Sequence, residues 1–310
     1  MLSVIIPAYN EAENINPAAE AIGSVLRAAG IGYELIFVND GSTDASWESI
    51  TRLSEQDPAV RGLCFSRNFG KEAAIFAGIS AAEEDCCVVI DCDLQHPPEK
   101  IVDMYRLWEQ GFEVIEGVKA HRGKETAGYG LAARIFYKLI SRSTGMDLMN
   151  ASDFRLLDRK AMDSLLTMGE QHAFFRALSS WIGFRTATVE FDVCERNAGE
   201  TKWTTRALVR YALTNITSFT SAPMQLITVM GVITLIVSII MGVVALYQKF
   251  SGVALGGFTT VIILQLFTGS LVMMSLGIIG HYLAKIYDEL KARPRYIISA
   301  SCGKRQEDKP

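Results

Sequence analysis

Residues 88–99 read VVIDCDLQHPPE. The apolar run at 88–90 predicts a short buried strand, and two carboxylates, Asp91 and Asp93, follow it at once. Two like charges this close repel each other unless a cation lies against them. The stretch therefore predicts a strand whose carboxyl end forms a site for a positively charged partner.

The first 195 residues alternate short apolar runs with stretches of helical periodicity. Strands that alternate with helices of this length are typical of β-α-β units, so the pattern predicts an α/β fold with a mostly parallel sheet. The sequence G-x-G-x-x-G is absent after the first strand, which disfavours a dinucleotide-binding oxidoreductase. The predicted strands are 2–7, 33–39, 60–65, 86–91, 112–117 and 184–193, and the predicted helices are 12–29, 44–55, 70–83 and 98–110.

The composition of the 310-residue chain separates it from several classes of protein. Its net charge of −4 gives no basic field, so we expect no nucleic-acid partner. Its six cysteines contain no C-x-x-C pair, which favours buried thiols in a reducing compartment over a zinc site. Hydrophobic residues make up 49% of the chain, and their excess lies in the last third, which points to a membrane segment there.

Two charge-free stretches occupy residues 211–248 and 250–280. Each can hold a helix of about 20 apolar residues, the length that crosses a bilayer. Basic residues flank the pair on both sides, whereas the short loop between the helices carries only Lys249, so the positive-inside rule places both ends in the cytoplasm. A pair of buried core helices in a soluble protein is the alternative. The predicted organisation is a cytoplasmic catalytic domain at 1–200, an interfacial helix at 201–219, two transmembrane helices within 220–284 (at 224–247 and 259–283) and a basic cytoplasmic tail at 285–310.

Two further stretches, 128–142 and 201–219, combine basic and apolar side chains at helical spacing. A basic amphipathic helix beside a membrane span is expected to lie on the bilayer surface. The alternative for each is an ordinary amphipathic helix packed on the sheet.

Three of the predicted strands end in polar residues. The first is followed by Glu11, the second by Asp40, and the one near residue 90 by Asp91 and Asp93. Ligands of an open parallel sheet bind beyond the carboxyl ends of its strands, so we expect these side chains to share one cleft. Four carboxylates in one cleft need a divalent cation and hydrogen-bond donors to balance them.

These residues belong to an ordered set of motifs that resembles one family over nearly the whole chain. The chain is similar to the family 2 glycosyltransferases of the GT-A fold, and more closely to the polyprenyl-phosphate glycosyltransferases and dolichol-phosphate mannose synthase. The tail and the SDFRLLDR segment indicate the bacterial undecaprenyl-phosphate branch. The motifs that carry the resemblance are PAYNEAENI, VNDGSTDAS, FSRNFGKEAAI, DCDLQHPPE, SDFRLLDR, ERNAGETKW and the tail ending in RPRYII.

The resemblance implies a metal site and a catalytic carboxylate. Asp91, Asp93 and Gln95 match positions that hold Mg²⁺ or Mn²⁺ on the diphosphate of a nucleotide-sugar, which makes Asp93 a catalytic residue. Asp153 matches the proposed catalytic base of the bacterial branch. The acceptor would be a phosphate monoester, which is mostly dianionic at neutral pH and hardly needs a base. Asp153 could instead orient the acceptor or order Arg155.

The resemblance also implies a donor site. Without it, Glu11 would be read as a solvent-facing residue of a first helical turn and Asp40 as a turn or cap residue. Lys71 could face the diphosphate or brace the Asp-x-Asp loop, and the alternative is a solvated basic pair with Arg67. His96 could lie behind the metal ligands. The implied donor-binding residues are Pro7, Tyr9, Glu11, Asp40, Lys71, Asp91, Arg196 and Lys202.

Basic residues near the amphipathic stretch 128–142 are candidates for holding the acceptor phosphate. Arg134 and Lys138 are one helical turn apart, so both cations can face one side. Lys119 and Arg122, which follow the strand FEVIEG, could complete the pocket.

We therefore expect an inverting enzyme of the cytoplasmic face of the bacterial inner membrane. It would transfer a sugar from UDP-glucose or UDP-N-acetylglucosamine to undecaprenyl phosphate, with Mg²⁺ or Mn²⁺ as cofactor. Its partners would be the donor, the lipid, the membrane and further copies of itself in a homo-oligomer. The alternatives are transfer from GDP-mannose, a polysaccharide synthase, a nucleotide-sugar hydrolase and a non-catalytic scaffold. A synthase should show more spans and a Q-x-x-R-W motif, which this chain lacks.

Overall fold

The computed structural model describes residues 1–120, 151–168, 174–192, 222–251 and 258–303. The chain divides into two compact units. The first, the catalytic unit, comprises Met1–Thr204 together with Pro294–Pro310, and the second comprises Thr205–Arg293. The two amphipathic stretches predicted at 128–142 and 201–219 lie outside the described residues.

The catalytic unit is built on one eight-stranded sheet with the strand order β7-β5-β6-β4-β1-β2-β3-β8. Six strands run in one direction, and only β6 and β8 run against their neighbours. The predicted mostly parallel sheet is confirmed. The strands are β1 Leu2–Ala8, β2 Tyr33–Asn39, β3 Val60–Phe65, β4 Cys86–Val89, β5 Val114–Lys119, β6 Ala151–Asp158, β7 Thr186–Phe191 and β8 Ile298–Cys302.

Helices cover both faces of this sheet. One face carries α1 Ile15–Ala28, α2 Ser46–Gln56 and α4 Glu99–Glu109, and the other carries α3 Lys71–Ala81, α5 Arg159–Thr167 and α6 Phe175–Trp181. The first strand shows why both faces are needed, because its side chains, apart from Ser3, are apolar in both directions and all but Pro7 are buried. Ile5 packs against α3 at Gly78, where an added Cβ would lie 2.2 Å from the Ile5 Cγ2 atom.

The structure differs from the sequence-based expectation at three strands. The strand predicted at 86–91 ends at Val89, so Asp91 and Asp93 lie in the loop that follows it. Strand β6 was not predicted, because its charged residues break the apolar alternation. Residues 285–310 were expected to be a basic tail, but α8 continues to Leu290 and β8 then joins the edge of the sheet.

The second unit contains two long helices, α7 Ala222–Phe250 and α8 Phe258–Leu290. Their most apolar windows, Ile227–Val244 and Leu264–Leu290, have mean hydropathies of 2.7 and 1.5, and neither is buried within the protein. By length and composition, both helices can cross a membrane.

Candidate active site

A lysine at the start of α3 joins the two carboxylates at the centre of the site. The Lys71 Nζ atom lies 2.6 Å from Asp91 Oδ1 and 2.8 Å from Asp153 Oδ2. The loop after β4 and strand β6 are thereby joined across the carboxyl end of the sheet. Lys71 therefore supplies, beside Asp91, the positive charge that the Asp-x-Asp sequence requires. Burial opposes the charge of Lys71, but the two carboxylates outweigh it and raise the pKa of the ammonium.

Asp153 is gripped by a second cation, Arg176 on α6. The Arg176 Nε and Nη2 atoms donate to the two carboxylate oxygens at 2.6 and 3.0 Å, the fork geometry of a strong ion pair. Burial tends to raise the pKa of Asp153, but Lys71 and Arg176 lower it well below its usual range. A carboxylate held this way is a weak proton acceptor. Its surroundings therefore favour the ordering of cations over general-base catalysis.

The cation that Asp153 orders is not Arg155. Arg155 is fully buried, and its Nη1 atom lies 2.9 Å from Glu116 Oε1 and donates to Ser179 Oγ at 2.6 Å. It therefore connects β6, β5 and α6 beneath the site. Sequence reasoning missed Arg176 because it sits in the stretch AFFRALSS, which matches none of the motifs and carries no other charge.

Glu72, the neighbour of Lys71, fixes the beginning of α6. Its Oε2 atom accepts from the Phe175 backbone N–H at 2.9 Å, one residue before Arg176. Burial first, and then the nearby charge of Asp153, raise the pKa of Glu72 to about 7. At neutral pH this carboxyl is therefore close to the point at which it loses its proton.

Glu72→Gln should make the stability of the folded protein less dependent on pH. Between the ordinary pKa of 4.5 and about 7, the unfolded chain has lost the Glu72 proton while the folded chain keeps it. Stability therefore falls as pH rises through this window, by a few kcal/mol at most. Gln keeps the acceptor for the Phe175 N–H and removes the titration. We expect the Tm advantage of Glu72→Gln to grow from near zero at pH 4.5 to its full value above pH 7.

Melting curves of the detergent-solubilised protein between pH 4.5 and 8.5 would measure this difference. The exposed Glu48→Gln on α2 is the matched control. A constant Tm difference across the range would show that Glu72 is not the titrating group.

Asp93 and Gln95 lie in the same loop as Asp91. The Asp93 Oδ1 atom accepts from the Gln95 backbone N–H at 3.1 Å, and both side chains are partly exposed. Within the described ranges, no three His, Cys, Asp or Glu side chains converge into a metal site. Mg²⁺ commonly uses only one or two protein carboxylates and takes its other oxygens from substrate phosphates and water. The oxygen ligands of this loop fit an ion bound in that way.

His96 lies close to Asp91 but does not hydrogen-bond to it. Its Nδ1 atom is 3.9 Å from Asp91 Oδ2, and its ring stacks on Phe154 and meets the edge of Phe191. Burial lowers the pKa of His96, so the ring is neutral at pH 7. In the described part of the chain, Nδ1 has no hydrogen-bond partner.

The loops after β1 and β2 hold each other in place. The Asn10 backbone N–H donates to Ser42 Oγ, and the Glu11 backbone N–H donates to Ser46 Oγ, both at 2.9 Å. Asn10 has a φ of 55°, a left-handed conformation that Asn tolerates better than most residues. The Glu11 carboxylate accepts from Asn14 at 2.5 Å. Pro7, Tyr9 and Glu11, predicted to bind the nucleoside, lie together at this end of β1.

Asp40 is almost fully buried and has a structural task. Its carboxylate accepts from the backbone N–H groups of Phe69 and Gly70 at 2.7 and 2.9 Å. Burial raises its pKa against these two hydrogen bonds. The side chain thus holds the loop that leads into Lys71.

Of the predicted acceptor residues, Lys119 alone is described. It ends β5, and burial first and Arg176 second lower its pKa, while Asp91 and Asp153 act in the opposite direction. Lys119 therefore lies close enough to Lys71, Asp91, Asp153 and Arg176 to interact with their charges. Arg122, Arg134, Arg196 and Lys202 lie outside the described residues.

Residues 3–166 match the family described as Glycosyl transferase family 2, and relatives match nearly the whole chain. The chain therefore belongs to glycosyl transferase family 2. It is 39% identical to the "Uncharacterized glycosyltransferase YkcC" of Bacillus subtilis, covering 97% of this chain and 94% of that one. It is 34% identical to the "Prophage bactoprenol glucosyl transferase homolog" of Escherichia coli (96% and 98%) and 33% identical to the "Bactoprenol glucosyl transferase" of Shigella phage SfII (97% and 98%).

Among solved structures, glucosyl-3-phosphoglycerate synthase of Mycobacterium tuberculosis superposes with a TM-score of 0.49 at 17% identity. The match covers 70% of this chain and 76% of that one. Similarity at this level does not bear on function. Family membership and the relatives that match nearly the full length establish that the protein is a glycosyltransferase, as the motifs indicated.

Proposed function

We propose that the protein transfers glucose from UDP-glucose to the phosphate of undecaprenyl phosphate at the cytoplasmic face of a bacterial inner membrane. The observation that carries the proposal is the likeness, over nearly the full length, to proteins named bactoprenol glucosyl transferases. The cluster of carboxylates and cations at the carboxyl end of the sheet supports it. Two helices that are long and apolar enough to cross a membrane suit a lipid acceptor.

The donor side of the site uses the loops after β1 and β4. The end of β1, with Tyr9 and Glu11, holds the nucleoside, and Asp40 adds an acceptor for the base. Asp91, Asp93 and Gln95 would hold Mg²⁺ or Mn²⁺, and Arg196 and Lys202 would bind the diphosphate. A metal ion bound there supplies positive charge that stabilises the departing UDP.

The acceptor side needs cations more than it needs a base. The lipid phosphate is largely dianionic at neutral pH, so one of its oxygens can attack the anomeric carbon directly. The new bond forms on one face of the sugar while the bond to UDP breaks on the other, which inverts the configuration. Asp153 holds Lys71 and Arg176 at the edge of this reaction, and Lys119, Arg122 and Arg134 receive the phosphate.

A panel of donors tests the proposal directly. Purified protein in nanodiscs is incubated with undecaprenyl phosphate, Mn²⁺ and radiolabelled UDP-glucose, UDP-N-acetylglucosamine or GDP-mannose. We expect label in the lipid fraction from UDP-glucose at a rate at least tenfold above the other donors. Preference for either of the other two would replace glucose as the transferred sugar, and no lipid product from any donor would refute the proposed acceptor.

Arg134→Ala should weaken binding of the acceptor rather than binding of the donor. Loss of a charged hydrogen bond costs about 1.5–3 kcal/mol, so we expect the KM for undecaprenyl phosphate to rise roughly tenfold or more. UDP affinity, measured by calorimetry with Mn²⁺, should change little. Arg106→Ala on the exposed face of α4 is the matched control. Loss of UDP binding with an unchanged acceptor KM would instead place Arg134 on the donor side.

A further inference from the structure

The segment Pro294–Cys302, here the C-terminal segment, follows α8 in the chain but belongs to the catalytic unit. Its strand β8 pairs antiparallel with β3, with Leu63 opposite Ser301 and Cys64 opposite Ala300. The Ser66 backbone N–H donates to the Ile297 carbonyl at 3.0 Å, which extends the contact beyond the strand itself. This segment contains PRYII, the last five residues of the RPRYII motif, to which the proposed reaction assigns no role.

Arg295 contacts α3, the helix that starts with Lys71, and the end of α5. Its guanidinium lies 4.5 Å from the centre of the Phe76 ring on α3, and it donates a hydrogen bond to the Met168 carbonyl at the end of α5. Phe76 meets Phe175 edge to face, with ring centres 6.4 Å apart. Phe175 begins α6 and is the neighbour of Arg176. Arg295 therefore contacts α3, the helix that starts with Lys71, and is connected to α6 through the Phe76 ring, which packs against Phe175.

Tyr296 supports the loop between β3 and α3. Its ring stacks on Phe65 at 5.1 Å with an interplanar angle of 12°, and Phe65 meets Phe69 edge to face at 5.7 Å. The Phe69 backbone N–H is one of the two groups bound by Asp40. This loop ends immediately before Lys71, the first residue of α3.

We propose that the C-terminal segment is a positioning element of the active site. Through Arg295 and Tyr296, it holds α3 and α6 in the arrangement that brings Lys71 and Arg176 onto Asp153. Arg295 and Tyr296 are thus positioning residues, because they act through Phe76, Phe175 and Phe65. A truncation that ends before Pro294 would remove this support together with an edge strand of the sheet.

Arg295→Ala in the full-length protein tests the proposal, with Lys291→Ala as the matched control. Lys291→Ala also removes one positive charge, but the Lys291 side chain contacts Asp288 and Tyr287 in the last turn of α8. We expect Arg295→Ala to lower kcat about tenfold or more, equivalent to at least about 1.4 kcal/mol, while the KM for UDP-glucose stays within about twofold. Arg295→Lys, which keeps a cation over Phe76, should recover part of the loss.

Hydrogen exchange provides a readout that does not depend on the proposed reaction. In Arg295→Ala, the amides of 66–76 and 174–181 should exchange faster, while those of β1 and β2 remain as protected as in the wild type. If Arg295→Ala does not fold, Tyr296→Leu, which keeps an apolar side chain against Phe65, should give the same pattern at 66–76. Wild-type kcat together with wild-type exchange in the folded variant would overturn the proposal. Failure of the wild type to glucosylate the lipid would refute the proposed function, but the exchange result would still decide this one.

Discussion

Asp93→Ala is expected to reduce sugar transfer by at least about 10²–10³-fold, the loss typical when one fixed electrostatic stabiliser of a transition state is removed. Asp93 lies in the loop after β4, where its carboxylate accepts from the Gln95 backbone N–H. Under the proposed function, its removal takes away an oxygen ligand for the metal ion and leaves the charge of the departing UDP less well balanced. The fold should survive, because the side chain is partly exposed and the hydrophobic core does not include it.

Asp103→Ala on α4 is the matched control, because Asp103 is an exposed carboxylate that pairs with Lys100 on the same helix. The measurement is the initial rate of lipid glucosylation over a Mn²⁺ titration, beside the Mn²⁺ affinity of the UDP complex from calorimetry. Both the rate and the Mn²⁺ affinity should fall in Asp93→Ala and neither in Asp103→Ala. Full activity of Asp93→Ala with EDTA present would show that no metal acts at this position.

Lys71→Met is expected to lower kcat about 10²-fold, which is the second large effect. The substitution keeps the length of the side chain but removes the cation between Asp91 and Asp153. The two carboxylates that Lys71 bridged then repel each other, and Asp91 loses its fixed position in the loop after β4. Asp153 still has Arg176, so we expect its own strand to stay in place. Lys100→Met on the exposed face of α4 is the matched control.

A double-mutant cycle with Asp153→Asn separates positioning from base catalysis. If Asp153 acts by holding Lys71, the second substitution should cost little once Lys71 is gone, because the two residues act as one unit. If Asp153 removes a proton, Asp153→Asn should also abolish the acidic limb of the kcat–pH profile. Additive losses in kcat combined with a lost acidic limb would restore Asp153 as the catalytic base.

The order of strands and helices in the first 120 residues could be predicted because each element carries a local signal. Strand β1 is apolar on both faces, which is typical of a strand covered by helices on both sides. Strand β6 carried no such signal, because Asp153 and Arg155 interrupt its apolar residues, and both are buried only through partners distant in sequence. Strand β8 is short and partly exposed, and its place depends on pairing with β3 across more than 230 residues.

The sequence by itself determined the family, the layer of carboxylates at the ends of β1, β2 and β4, and the two long apolar helices, because each depends on residue types at short spacing. Only the tertiary structure decided which charges meet. Lys71 bridges Asp91 and Asp153, Arg176 grips Asp153, and Asp40 closes a backbone loop. Lys71 is 20 positions from Asp91 and 82 positions from Asp153 in the sequence. A pattern of neighbouring residues cannot indicate a contact between residues so far apart. Whether a buried carboxylate acts as a base or as an anchor depends on those partners, because they set its pKa.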